Sequence, residues 1–277
     1  MSPDDYCQQK AAQSGSSFYY SFLFLPPERR RAITALYAFC REVDDVVDEC
    51  SDADVAAAKL NWWNDEINAL LAGAPTHPVT QALQPHLRPF NLDGGHLQAI
   101  IAGMRLDLEQ ARYASFDRLE HYCWHVAGVV GLLSAGIFGA TQPETLKYAE
   151  KLGLAFQLTN IIRDVGEDAR KGRIYLPIDE LKRFEVPAAD ILNARHSANF
   201  ERLMEFQVAR AHAAYDEAFA LLPAADRRAQ RPGLMMAAIY RALLTEIERD
   251  GFHVLNQRIA LTPIRKLWLA WKTYVRG

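Results

Sequence analysis

Prolines and glycines fall along this chain at points that leave long uninterrupted runs: about 28–50, 53–72, 92–112, 115–140, 143–168, 197–222, 232–253 and 262–275. The runs are rich in Ala, Leu, Glu, Arg and Gln, and their apolar residues recur every three or four positions, the spacing of a helix face. In 143–168, Pro143 suits a first helical turn, and Leu146, Ala149, Leu152 and Phe156 form a stripe. No run alternates as a strand does, and there is no fixed-period repeat, low-complexity tract or Gly-rich phosphate loop. The expected fold is all-α, with helices packed around one core. At 277 residues, half of them apolar and 23% charged, the chain can bury such a core. Without a Pro/Gly/Ser linker to divide it, one domain over 1–277 is expected.

The net charge of −3 lacks the basic excess that drives nucleic-acid binding, so no nucleic-acid partner is expected. Cys7, Cys40, Cys50 and Cys123 are irregularly spaced, with neither C-x-x-C nor a nearby histidine pair, which fits reduced thiols in a cytoplasmic protein. The acidic, polar start MSPDDYCQQK does not resemble an export signal. The weakly polar stretch Val126 to Ala140 falls short of the roughly 20 apolar residues of a membrane span and reads as a buried core helix. His121 and His125, spaced for metal but without a third ligand, read as packing residues.

Two polar stripes stand out on otherwise apolar helices. Tyr37, Arg41, Asp44 and Asp48 follow each other by four, three and four residues and share one helix face, with Asp45 beside them. Like charges one turn apart repel by a few tenths of a kcal/mol, so a cation should compensate. Arg41 can neutralise one carboxylate, and magnesium suits the rest because it takes oxygen ligands and keeps several waters. Gln157, Asn160, Asp164 and Asp168, spaced three, four and four, form the second stripe among Leu154, Phe156, Leu158, Ile161 and Ile162. Polar groups facing inward there need a polar cavity or a ligand. One such stripe alone reads as a solvated acidic face or a buried amide network. Two of them can face each other across a cavity and hold magnesium that bridges to a diphosphate.

With these motifs in this order, the chain resembles the squalene and phytoene synthase family of head-to-head prenyl transferases over nearly its whole length. DDVVD at Asp44, Asp45 and Asp48, preceded by Tyr37 and Arg41, is similar to the family's first aspartate-rich motif. Gln157, Asn160, Arg163, Asp164 and Asp168, followed by RIYLP with Arg173 and Tyr175, are similar to the second. YCWHVAGVVG resembles the element carrying the active-site tyrosine, here Tyr122, and the small packing residues Ala127, Gly128 and Gly131. SSFYYSFLFLP resembles the segment that places Ser17, Phe18 and Phe22 at the substrate pocket, and Tyr240 and Arg258 match positions that line the site or contact diphosphate.

The resemblance implies an isoprenoid-synthase-type helical bundle around a central cavity. It implies Asp44, Asp48, Asn160, Asp164 and Asp168 as ligands of two or three magnesium ions held with substrate diphosphate. The catalytic set would be Asp44, Asp48, Tyr122, Asp164 and Asp168. Within the family, SGSSFYYSFLFLP and NIIRDVGEDARKGRIYLP look most like the bacterial presqualene diphosphate synthases of hopanoid biosynthesis. The expected reaction is therefore condensation of two farnesyl diphosphates to presqualene diphosphate with release of diphosphate, without NADPH, upstream of squalene-forming enzymes. The alternatives are phytoene synthesis from two geranylgeranyl diphosphates and a complete NADPH-dependent squalene synthase. A non-catalytic helical binding protein is the remote one. The C-terminal IRKLWLAWKTYVRG fits either tryptophans packed on the core or an amphipathic helix at the inner face of the cell membrane.

Overall fold

The computed structural model describes residues 1–13, 21–50 and 52–276, and within them the chain is helical, with one isolated bridge between Arg112 and Ile174 and no named strand. The expected all-α fold is borne out. The helices are α1 (Pro3–Gln13), α2 (Pro27–Glu49), α3 (Ala53–Leu71), α4 (Pro78–Leu83), α5 (Gly94–Glu109) and α6 (Phe116–Phe138). They continue as α7 (Pro143–Arg170), α8 (Ile178–Arg183), α9 (Ala188–Leu192), α10 (Ala198–Leu221), α11 (Arg231–Arg249) and α12 (Pro263–Arg276).

Local chemistry sets the boundaries. Proline opens α2, α4 and α7 within their first turn, where its missing N–H costs nothing. Asp52 caps α3 by accepting from the N–H groups of Asp54 and Val55, Asp93 caps α5 and Ser197 caps α10. Gly139, at φ 98°, ends α6 in the left-handed conformation that glycine adopts without strain. The eight expected helices are all present. The run from 92 stops earlier than expected, at Glu109, because Arg112 pairs with Ile174. The run from 232 stops at Arg249, ahead of the left-handed Gly251 and Phe252.

Two expectations are corrected. Leu146 does not belong to the buried stripe of α7: it is 43% exposed, and Thr145, Tyr148, Ala149 and Leu152 face inward instead. The stretch 126–140, read as a core helix too short for a membrane span, is only part of a longer apolar helix. It continues α6, whose 23 residues are long and apolar enough by length and composition to cross a membrane. One face of α6 walls an internal cavity and others meet both cores, the behaviour of a core helix.

Within α6, Trp124–Gly128 forms a π turn in which the Val129 N–H reaches back to the Trp124 carbonyl. There α6 crosses α7 backbone to backbone. A Cβ on Gly131 would lie 2.3 Å from the Ala149 carbonyl oxygen, and one on Gly153 would lie 2.4 Å from that of Ala127. The small residues expected at 127, 128 and 131 therefore sit at this crossing. Among the described residues, packing is organised as two apolar clusters. One joins α1 to α5 with the end of α6, and the other surrounds α7 with α8 to α11. The cavity lies between them and takes Phe22, Leu36 and Met104 from the first, and Leu152, Phe156 and Ile161 from the second.

Candidate active site

The cavity has a volume of about 530 Å³, within the usual range of ligand sites. Much of its wall is apolar, and α6 contributes Val126, Val130 and Phe138, together with Ser134, at helical spacing. The two polar stripes line it as well. Tyr37, Arg41, Asp44 and Asp48 come from α2, and Gln157, Asn160, Asp164 and Asp168 from α7. Arg163, Arg173, Tyr175, Arg258, Phe22 and Tyr122 share the wall. Asp45 and Tyr240 do not, and Ser17 and Phe18 lie outside the described residues. Asp45 turns to Arg41 Nη2 at 2.6 Å and to Lys10 of α1 at 2.8 Å. Tyr240 stands buried behind the cavity as a hydrogen-bond partner of Arg163.

Among the described residues, every wall carboxylate of the stripes except Asp168 is paired with a cation within 4 Å. Arg41 Nη1 lies 2.5 Å from Asp44, while Lys171 and Arg173 reach Asp48 at 3.2 and 3.3 Å. Arg163 forks onto Asp164, its Nε at 2.7 Å from Oδ1, and Arg258 adds a contact to Asp164 at 3.2 Å. Asn160 donates to Gln157 Oε1 at 3.3 Å. Burial pushes Asp44 up to about 6, with Asp48 and Asp45 adding to it and Arg41 opposing. Burial and then the charge of Asp164 push Asp168 up to about 7. Among the described residues no three His, Cys, Asp or Glu side chains converge as a ready-made metal cage. The donor set nevertheless fits magnesium: it is all oxygen, mostly anionic, spread over two helices, and leaves positions for phosphate oxygens and water.

Asp107 escaped sequence reasoning. It sits on α5 with its carboxylate buried at the cavity wall, accepting from the hydroxyls of Tyr122 at 2.7 Å and Tyr175 at 2.8 Å. Burial holds its pKa above the usual carboxylate range although both hydrogen bonds pull the other way. The Tyr122 and Tyr175 rings stack at 5.4 Å and Tyr113 packs on both, its own hydroxyl buried without a partner among the described residues. Nothing in LDLEQ marks this aspartate beforehand, because its significance comes from contacts 15 and 68 residues away. His121 and His125 stay away from the site. Their rings meet edge to face at 4.6 Å, but His121 is exposed and so is not the packing residue expected.

Comparison with known proteins agrees with this arrangement. The sequence matches the squalene/phytoene synthase family over residues 11–265. The chain belongs to that family of prenyl transferases, whose enzymes use diphosphate substrates with a divalent metal, generally magnesium. It is 38% identical to a phytoene synthase of Arthrospira platensis over 274 residues, covering 94% of this chain and 89% of that protein. It is 37% identical to the 15-cis-phytoene synthase of Synechocystis sp., covering 96% and 83% of the two chains. In structure it is similar to a dehydrosqualene synthase with a bound ligand, at TM-score 0.87 and 29% identity, covering 99% and 96%. It is also similar to squalene synthase HpnC of Alicyclobacillus acidocaldarius, at TM-score 0.81 and 30% identity, covering 90% and 94%.

Proposed function

We propose that this protein joins two molecules of an allylic prenyl diphosphate head to head and releases diphosphate. The observation that carries this reading is the pair of carboxylate stripes at one apolar cavity, an arrangement suited to a molecule with an anionic head and a long hydrocarbon tail. Asp44, Asp48, Asn160, Asp164 and Asp168 would hold magnesium with the substrate diphosphate, and the metal would supply positive charge to the departing group. Arg41, Arg163, Arg173 and Arg258, now paired with carboxylates, are placed to turn to diphosphate oxygens and offset the charge that develops there. The apolar walls, Phe22 among them, hold two flexible chains in reacting geometry and keep out water that would quench an allylic cation. Tyr122 and Tyr175 each donate a hydrogen bond to Asp107, which leaves lone pairs of their hydroxyl oxygens for a cationic intermediate.

Two chain lengths have support. The curated relatives, phytoene synthases at 34–38% identity, favour two geranylgeranyl diphosphates and a phytoene product. Farnesyl diphosphate, with presqualene diphosphate as product, is supported by the similarity to the dehydrosqualene and squalene synthase structures, since squalene-type products join two fifteen-carbon units. Incubation with magnesium and each substrate, without and then with NADPH, followed by mass spectrometry, decides. Phytoene, or presqualene diphosphate, establishes head-to-head coupling and the chain length, and squalene formed only with NADPH adds a reductive step. A linear head-to-tail product, or none from either substrate, removes the proposal.

A further inference from the structure

Helix α12 lies against the molecule the wrong way round for an ordinary surface helix. Its apolar residues Ile264, Leu267, Trp268, Trp271, Tyr274 and Val275 follow helical spacing and form one stripe, which faces outward. Ile264 is 81% exposed, Val275 62%, Trp268 54% and Trp271 49%, while the small Ala270 on the opposite face is fully buried. The stacked indoles of Trp268 and Trp271, 5.2 Å apart, therefore lie half in solvent. Phe24 stacks on Tyr274 at 5.0 Å, and the exposed Leu23 beside it widens the apolar surface. The orientation is fixed by contacts on the other side: Arg265 pairs with Glu246 of α11 at 2.8 Å and Leu269 packs on the core.

A solvated apolar stripe of this size needs an occupant. From Gly251 to the end, the sequence holds Arg258, Arg265, Lys266, Lys272 and Arg276 and no Asp or Glu, although the whole chain carries a net charge of −3. A second copy docking by the same face would set two acid-free segments against each other. Arg258 and Arg265 are already held by Asp164 and Glu246, so the charge offered to a partner comes from Lys266 and Lys272. An anionic lipid surface complements these and the aromatic stripe, since tryptophan and tyrosine settle at the boundary between headgroups and acyl chains. We propose that the outward face of α12, with Leu23, docks on the surface of an anionic bilayer. Lys266 of the same helix feels the charges of Arg163 and Arg258, both of which line the cavity. This inference stands on the helix alone and does not require the proposed reaction.

The test is co-sedimentation of the full chain with vesicles of phosphatidylglycerol and phosphatidylethanolamine, compared with pure phosphatidylcholine, at low and high salt. The intact protein should pellet at least tenfold more with the anionic vesicles, and less as salt rises. The double variant Trp268→Glu/Trp271→Glu should fall to the phosphatidylcholine level. Ile264→Glu, at the most exposed position of the stripe, provides a second variant if the double change impairs folding, which thermal melting reports. Pelleting of the variants equal to that of the intact chain would overturn the proposal, as would no pelleting of the intact chain. So would a dimer in sedimentation velocity that the tryptophan substitutions dissolve, because it would assign the face to a second copy.

Discussion

The Asp107 carboxylate accepts from two phenols at once, so it fixes where both hydroxyl protons point and how the Tyr122 and Tyr175 rings lie against the cavity. Hydrogen bonds to a charged group are worth about 1.5–3 kcal/mol. If that alignment is used in the transition state, Asp107→Asn lowers kcat about ten- to a hundredfold. Because Asp107 is outside the expected metal set, its magnesium dependence should stay unchanged, and turnover within twofold of the native enzyme would remove the residue from the site's chemistry. Asp44 and Asp168 behave differently. Their folded-state pKa values, about 6 and about 7, lie above the ordinary carboxylate range, so the metal-free folded chain binds protons more tightly than the unfolded one. Their contribution to stability therefore falls as pH rises through these values, and a bound cation offsets that loss. Magnesium with inorganic diphosphate should raise Tm more at pH 8 than at pH 6, and an equal rise at both would contradict this assignment.

The crossing of α6 and α7 holds the second stripe in place, and it depends on glycine for closeness. Gly131→Ala drives a methyl group to 2.3 Å from the backbone oxygen of Ala149, a contact that no side-chain rotation relieves. Overpacking of this kind costs about 1–3 kcal/mol. Thermal denaturation should show Tm lower by roughly 5 °C, with activity lost alongside because α7 carries the stripe. A variant as stable as the native chain would show that the helices can separate freely. The connection between the same helices is fastened by Asp226, which is buried and accepts from the N–H groups of Thr141 and Gln142 and the hydroxyls of Thr141 and Thr145. These hydrogen bonds, led by the hydroxyl of Thr141, outweigh burial and hold its pKa down at about 2. A depressed carboxylate stabilises the fold above its unfolded pKa and loses that contribution as pH falls through the folded one. Between about pH 4 and pH 2 the native chain should therefore lose about 2–3 kcal/mol that Asp226→Asn never had, and parallel urea titrations of the two would disprove it.

Much of the molecule could be read from the sequence because the periodicity that packs a helix also aligns its polar residues. The spacing of Asp44 with Asp48 and of Asn160 with Asp164 and Asp168 placed each set on one face, and both sets line the cavity. What the spacing could not reveal was tertiary in origin. Asp107 gains its significance from Tyr122 and Tyr175, Asp45 is drawn aside by Lys10, and the stripe of α12 turns outward because Arg265 and Leu269 hold its other face. The cavity's position between two apolar clusters has a consequence for the molecule as a unit. A ligand touching α2 and α7 together must stabilise both clusters at once. With a non-cleavable thio-analogue of the prenyl diphosphate and magnesium at a hundred times Kd, binding adds about 2.7 kcal/mol. That corresponds to a Tm rise of roughly 5–10 °C in a single transition. Asp44→Asn and Asp164→Asn, one on each helix, should each abolish most of the rise. Two separate transitions in calorimetry, with the ligand moving only one of them, would show that the clusters unfold independently and would divide the chain into two domains at the cavity.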